Sequence, residues 1–182
     1  CTDTLANNFD PSAETNDGSC TYNNSTLTPE SSIDINSTLN ETSGLILWDN
    51  KVWTHLDGGN PTEIYSADTS NLLNFSSLNI QGVTNTDWED MAQDENYVYI
   101  GDFGNNANGN RTDLKIYRIQ KTSIQQGNPV VDVINFSYAD QTDFSPQTGN
   151  NTDFDCEAMI VTDSNIYLFT KEWVSEETTV YA

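Results

Sequence analysis

Short apolar runs separated by polar turns dominate the chain from about residue 41 onward. Leu45–Trp48, Tyr97–Ile100 and Ile166–Phe169 are three such runs. They are rich in β-branched and aromatic residues, and no long segment shows the spacing of an amphipathic helix. The pattern therefore predicts an all-β protein built from short strands.

The strand pattern repeats three times. Each unit begins with a glutamate, continues through a strand, a polar turn and a strongly apolar strand, and ends with a strand that carries Ile-Tyr or Val-Tyr. The glutamates are Glu41, Glu89 and Glu157, and the tyrosines are Tyr65, Tyr117 and Tyr181. We expect the glutamates to be equivalent at the inner ends of the units and the tyrosines to lie on equivalent third strands.

Such a unit is typical of a β-propeller blade, which has short strands that recur over roughly 40 to 50 residues. Residues 41–182 thus predict about three blades, starting near residues 41, 89 and 157. A propeller ring typically needs about four to eight blades. The sequence therefore predicts an incomplete ring that belongs to a longer protein. A two-sheet sandwich is the alternative, and the repeat argues against it.

The N-terminal segment has a different character. Cys1 and Cys20 bracket a polar stretch that is too small to fold by hydrophobic burial. We predict a disulfide, which by loop closure contributes about 3 kcal/mol; a lipid on Cys1 is the alternative. Residues 1–22 then form a disulfide-bracketed spacer module, and residues 23–40, rich in Ser, Thr and Asn, form a linker.

Acidic residues within this module suggest a cation site. Asp10, Glu14 and Asp17 could supply oxygen ligands to calcium. Their spacing does not match the regular calcium-loop pattern, so solvated turn residues are the other interpretation.

Charge restricts the partners. The chain has 28 acidic and 6 basic residues, for a formal net charge of -22. Such a surface repels nucleic acid and anionic membranes and favours cations. No apolar run reaches the roughly 18 residues of a membrane-spanning helix. We therefore expect neither nucleic-acid binding nor membrane insertion.

Two segments resemble known families. Residues 1–22 place Cys1, Asp3, Asn8, Asp17 and Cys20 on the pattern of short repeats found in secreted and surface proteins of Bacteroidetes-type bacteria. This resemblance implies export, often by the type IX route, an extracellular or cell-surface location and a spacer role.

From about residue 40 to 182, the motifs E-T-S-G-L, D-W-E-D-M-A and D-C-E-A-M, each followed by an apolar strand, resemble the esterase-like or phytase-like propellers and their SdiA-regulated relatives. Leu56 and Asp90 depart from that pattern. The resemblance implies a central channel lined by the first strand of each blade.

Carboxylates are expected in this channel. Glu41, Glu89 and Glu157 should converge near its axis, with Asp57, Asp102 and Lys171 at the ends of neighbouring strands. Crowded carboxylates raise one another's pKa unless a cation neutralises them, and calcium would do so with oxygen ligands. The structural alternative is that each glutamate accepts hydrogen bonds from the backbone of the adjoining blade.

Two functions remain open. The first is a non-catalytic extracellular module that calcium could stabilise and that serves adhesion, scaffolding or ligand capture. Its partners would be the rest of its polypeptide, another surface protein, a polysaccharide or a small ligand. The second is a calcium-dependent hydrolase in which Glu89, Asp102 or Glu157 positions water. His55 could then be a general base or could simply cap a strand end. Cys156, among apolar neighbours, is expected to be a buried thiol rather than a nucleophile.

Overall fold

The computed structural model describes all 182 residues. They divide into two compact units, Cys1–Asp34 and Ile35–Ala182, called here the N-terminal unit and the larger unit. None of the helices is long and apolar enough to cross a membrane.

The N-terminal unit is held by covalent and polar links. Cys1 and Cys20 form the predicted disulfide, with 4.9 Å between their Cα atoms. The Tyr22 hydroxyl donates to Asp3 at 2.6 Å, and the Asn8 side chain donates to the Ser19 carbonyl at 2.7 Å. Since the unit contains no helix or strand and buries little apolar surface, these links take the place of a core.

The larger unit consists almost entirely of strands. A 3-10 turn at Ser37–Leu39 precedes them, and one short helix, α1, spans Lys121–Gln125. The strands are β1 Thr42–Trp48, β2 Lys51–Leu56, β3 Glu63–Asp68, β4 Asn71–Asn79, β5 Trp88–Gln93, β6 Tyr97–Asp102, β7 Lys115–Gln120, β8 Val131–Asn135, β9 Asp155–Val161, β10 Ile166–Lys171 and β11 Val180–Tyr181.

These strands form three antiparallel sheets in chain order. The first sheet is β1-β2-β3-β4, the second is β5-β6-β7-β8, and the third is β9-β10-β11. Within each sheet, each strand pairs with the next one along the chain. The all-β prediction is confirmed, and the three predicted units correspond to three sheets that do not close into a ring.

The strand register defines which residues are equivalent. In each sheet, a row of paired residues runs from the first strand to a tyrosine on the third, and we call it the tyrosine row. The rows are Leu45–Thr54–Tyr65, Met91–Ile100–Tyr117 and Met159–Leu168–Tyr181. The prediction that the three tyrosines lie on equivalent third strands is therefore confirmed.

The glutamates do not all follow this register. Glu89 and Glu157 each lie two residues before the first member of their row, whereas Glu41 lies four residues before Leu45. The predicted equivalence is thus right for Glu89 and Glu157 and wrong for Glu41. Glu41 instead directly precedes β1, with a φ of 64°. It occupies the position of Asp87 and Asp155, which lie four residues before Met91 and Met159.

The first two sheets pack through apolar faces. The tyrosine row of the second sheet lies against Ile46, Trp53 and Ile64 of the first, and all of these side chains are buried in one core cluster. The Ser43 hydroxyl also donates to the Glu89 carbonyl, at 2.5 Å. The face of the first sheet opposite its own tyrosine row therefore covers the second sheet.

The second and third sheets repeat this arrangement. Ala92, Tyr99 and Ile116, on the second sheet opposite its tyrosine row, share a core cluster with the tyrosine row of the third, whose Met159 and Leu168 are buried. The tyrosine rows of the second and third sheets thus each face the preceding sheet. The three sheets stack in the same sense, with their first strands adjacent.

Candidate functional site

Three carboxylates meet where the first strands of the first and second sheets adjoin. Asp57, Asp87 and Glu89 each place a carboxylate oxygen within 4.8 Å of the others, and we call them the acidic triad. Three oxygen ligands in this arrangement could hold a metal ion. Asp57 comes from the first sheet and the other two from the second, so the site spans the two sheets.

Local structure explains how each member reaches the site. Asp57 directly follows β2, and Asp87 directly precedes β5. Glu89 lies within β5 at a β-bulge between Trp88 and Asp90, where the pairing with β6 shifts. A bulge inserts an unpaired residue and re-aims its side chain. The bulge therefore turns the Glu89 side chain away from the regular alternation of the strand.

Two glycines let the backbone approach the triad closely. A Cβ at Gly104 would collide with carboxylate oxygens of Glu89 and Asp87, and a Cβ at Gly58 would collide with Asp87. The Gly104 N–H also donates to the Asp87 carbonyl at 3.1 Å. The backbone of both glycines therefore lies directly against the carboxylates, and neither glycine position has room for a larger residue.

The surroundings of Glu89 raise its pKa strongly. Burial is the main cause that raises it from 4.5 to about 9, and repulsion from Glu157, Asp57, Asp87 and Asp155 adds to the effect. Burial and these neighbouring charges therefore favour the protonated form of the Glu89 carboxyl.

The pKa values of the neighbouring carboxyls Asp87 and Glu157 are also raised. Burial raises the pKa of Asp87 to about 6, with the Arg111 charge opposing the rise. Burial and the Asp155 charge raise the pKa of Glu157, while Lys171, which pairs with Glu157 at 3.2 Å, lowers it.

The protein forms few direct bonds to the triad carboxylates. No ion pair reaches a triad member, and no protein group donates a hydrogen bond to the carboxylates of Asp87 or Glu89. Arg111 acts on Asp87 only through its charge, because it bonds to Asp102 at 2.9 Å and to Asp113 at 3.1 Å. The triad is therefore an acidic site without an ion pair of its own.

The carboxylate equivalent to Asp87 in the third sheet is satisfied by the protein. Asp155 is fully buried and accepts hydrogen bonds from the Asn105 N–H at 2.7 Å and the Trp173 indole at 2.8 Å. Asp155 thus links the second and third sheets through its hydrogen bonds. Asp87, at the same position between the first and second sheets, has a carboxylate that accepts no hydrogen bond from the protein.

Two catalytic candidates lie in the protein core. Asp102 is fully buried and accepts from the Asp87 N–H at 3.0 Å as well as from Arg111. His55, also fully buried, lies edge-on to Trp88 and contacts the Leu56 carbonyl through Nδ1 at 3.0 Å. Burial is the main cause that lowers the pKa of His55. Both side chains therefore act in packing and positioning in this structure.

The other predicted ligands do not join the triad. Glu41 is exposed and accepts from the Asn60 side chain at 3.1 Å. Asp10 and Asp17 in the N-terminal unit accept from Ser12 and Ser19 of their own turns, and these bonds lower their pKa values. Glu14 is exposed.

Sequence reasoning singled out Asp57 and Glu89 but missed Asp87. A signal was present, since an acidic residue lies four positions before the first member of every tyrosine row, at Glu41, Asp87 and Asp155. An alignment of the three units on their tyrosine rows, rather than on the glutamates, would have identified Asp87.

Comparison with protein-family models, curated proteins and solved structures found no significant match to this chain.

Proposed function

We propose that this chain is an extracellular β-propeller-type module without catalytic activity, in which the acidic triad binds calcium and thereby stabilises the join between two blades. The observation that carries the proposal is the cluster of three carboxylates, none of them in an ion pair, contributed by two sheets. The shared stacking sense of the three sheets and their chain-ordered strands support the propeller part of the proposal.

Calcium fits this site by its chemistry. It is a hard cation that takes carboxylate and carbonyl oxygens in flexible geometry, and the triad offers only such ligands. A bound cation would return the Glu89 carboxyl to its charged form and remove the repulsion within the cluster. Because only the folded arrangement brings Asp57 to Asp87, calcium binding would stabilise the stacked sheets by linkage.

The module would serve adhesion, scaffolding or ligand capture. A calcium ion held by three carboxylates keeps coordination positions for other oxygen ligands. Hydroxyl groups of a polysaccharide or a small ligand suit these positions, whereas the net charge of -22 disfavours polyanions such as nucleic acid. The Cys1–Cys20 disulfide supports an oxidising, extracellular setting.

Calorimetric titration of the chain with calcium tests the proposal. We expect one site in the larger unit, and Asp87→Asn should weaken it by about tenfold or more, since it removes one of three charged ligands. Asp163→Asn, in an exposed turn, is the matched control and should leave the affinity unchanged. Binding that persists in Asp87→Asn and disappears in Asp17→Asn would assign the ion to the N-terminal unit and overturn the proposal.

A calcium-dependent hydrolase of phytase-like or esterase-like type is the second candidate. The placement of Glu89 in the acidic triad favours it, because a cation held there could polarise a phosphate or ester while the Glu89 carboxylate positions the attacking water. Calcium-dependent hydrolysis of a phosphate monoester or carboxylic ester that is lost in Glu89→Gln would support this candidate over the first.

A further inference from the structure

The first sheet has an open edge at its outer strand, β4. Asn71–Asn79 pairs with β3 on one side, and no strand pairs with it on the other. No backbone hydrogen bond links β4 to any segment outside its sheet. An unpaired edge of this kind offers N–H and C=O groups on which another strand can assemble.

The register of β3 and β4 shows which backbone groups point outward. Hydrogen-bonded and non-hydrogen-bonded pairs alternate along an antiparallel ladder. The Ile80 N–H donates to the Thr62 carbonyl at 2.7 Å, in the same register as the strand pairs, so alternate residues counted back from Ile80 bond to β3. The residues between them direct their N–H and C=O groups away from the sheet, and these are Phe75, Ser77 and Asn79.

This edge is uncharged in a strongly acidic chain. Residues 69–86 contain no Asp, Glu, Lys, Arg or His, although the whole chain has 28 acidic and 6 basic residues. Charged side chains and short length are two common means by which an edge strand avoids pairing with another chain. The strand β4 has nine residues, against about five or six for a usual strand. It therefore lacks both means of protection.

The corresponding edge of the second sheet is protected by both means. Its outer strand, β8, has only five residues. Asp132 on β8 pairs with Arg118 on the neighbouring strand β7 at 2.7 Å, so charged groups lie at this edge. Of the two edges, β4 is therefore the one that favours pairing with another strand.

We propose that two copies of this chain pair through β4, antiparallel and about a two-fold axis at Ser77, so that their first sheets form one continuous sheet. Ser77 then faces Ser77 of the other copy, and Phe75 faces Asn79. All outward N–H and C=O groups of these three residues gain partners, whereas a shift along the strand leaves some of them unpaired.

A second copy of the chain fits this edge better than a different partner. An antiparallel pair of identical strands is self-complementary about a two-fold axis, and strand addition at a sheet edge is a common mode of recognition. Because β4 is uncharged, no like charges lie directly opposite each other in the pair. The inference is independent of the calcium site, which involves none of the residues of β4.

Charge predicts how this association responds to salt. Each copy carries a formal charge of -22, so two copies repel each other and salt screens that repulsion. The contact consists of backbone hydrogen bonds between uncharged strands, which screening does not weaken. Association should therefore become tighter as sodium chloride increases, which distinguishes it from pairing through salt bridges.

Sedimentation velocity of the intact chain, from low to high micromolar concentration and at low and high salt, tests the proposal. We expect a concentration-dependent species of twice the 20.3 kDa chain mass. Ser77→Pro should weaken it by about tenfold or more, because proline has no N–H and its ring projects into the contact. The variant should still fold, since an edge strand tolerates proline where the N–H points to solvent, and circular dichroism checks this.

Val133→Pro is the matched control. On β8, the Gln120 N–H donates to the Val130 carbonyl at 3.2 Å, and the alternation along this ladder makes Val133, like Ser77, direct its N–H away from the sheet. The control variant should form the dimer as the unmodified chain does. A dimer that persists unchanged in Ser77→Pro, or that is weakened equally in both variants, would overturn the proposal.

A cysteine at the proposed axis tests the register. The cysteines of the chain form one disulfide and one buried thiol, so Ser77→Cys adds an exposed thiol that has no competitor. Mild oxidation should join two copies into a covalent dimer, detected by intact mass, at least tenfold faster than it joins Val133→Cys. Equal rates, or a chain that stays monomeric at every concentration and salt, would overturn the proposal and leave an extended segment of another protein as the occupant of the edge.

Discussion

The Asp90 carboxylate accepts a hydrogen bond from the Met159 backbone N–H at 2.6 Å. This bond crosses from the first strand of the second sheet to the first strand of the third, and the other Asp90 oxygen accepts the Met91 N–H at 2.7 Å. Bonding to the backbone of an adjoining sheet was one interpretation of the repeated glutamates. In the second sheet, Asp90 makes that bond, while its neighbour Glu89 points into the acidic triad.

We predict that Asp90→Asn destabilises the fold by about 1–3 kcal/mol, because the amide can present only one acceptor oxygen to two backbone donors. The free energy of unfolding from urea denaturation measures the change. Calcium affinity should stay as in the unmodified protein, since Asp90 is not a member of the triad. A loss of calcium affinity with unchanged stability would contradict the assigned role.

Stability without calcium should fall as pH rises through the neutral range. The pKa of Glu89 is raised in the folded state from 4.5 to about 9, so between these values the folded state binds more protons than the unfolded state. The contribution of Glu89 is most favourable below pH 4.5 and is lost progressively as pH approaches 9. Asp87, with its pKa raised to about 6, acts in the same direction.

Glu89→Gln supplies the control for this pH dependence. The amide does not titrate, so the unfolding free energy of this variant should decline less steeply between about pH 5 and pH 8 than that of the unmodified protein. Saturating calcium should flatten the profile of the unmodified protein too, because the cation favours the charged carboxylate. Identical slopes for both proteins in a calcium-free buffer would show that Glu89 is not held neutral.

Gly104→Ala should disturb the site through packing alone. The added Cβ would collide with the carboxylates of Glu89 and Asp87, and we expect a loss of about 1–3 kcal/mol together with weaker calcium binding. Gly149→Ala is the matched control, because its Cβ would meet nothing closer than 3.8 Å. Thermal unfolding and calcium titration of both variants measure the two effects, and equal behaviour of the two variants would contradict the enclosed geometry.

Cys156 should be unreactive in the folded protein. It is a buried free thiol, and burial raises its pKa to about 12, so almost no thiolate is present at neutral pH. Alkylation followed by intact-mass measurement should detect no modified thiol in native buffer and one after denaturation without reductant. Three modified thiols in that denatured sample would mean that the Cys1–Cys20 disulfide is absent.

The sequence was sufficient for features that depend on neighbours along the chain. Strand periodicity predicted the all-β class and the three units, and the tyrosines were correctly aligned because each ends a strand pattern. The bracketing of a polar segment by Cys1 and Cys20 predicted the disulfide.

The acidic triad could not be predicted in full, because it depends on how sheets stack. Asp57 and Asp87 are far apart in the repeat pattern and meet only where the end of β2 reaches the start of β5. The β-bulge also left no mark in the sequence pattern, so nothing indicated that Glu89 and Asp90 would turn in different directions. Glu41 was misassigned for the same reason, since its unit has no carboxylate two residues before Leu45.

The first strands of the second and third sheets carry a bulge at the same position, at Glu89 and Glu157, and the first sheet carries one at Gly44, one residue pair nearer its tyrosine row. The residue at this extra position is free of the strand ladder, so its identity can change while the hydrogen bonds between strands persist. A substitution at such a position can therefore change the chemistry at one join of the stack without altering the framework of the sheets. The bulge therefore allows the side chain at the binding site to change independently of the strand pairing that holds the sheet together.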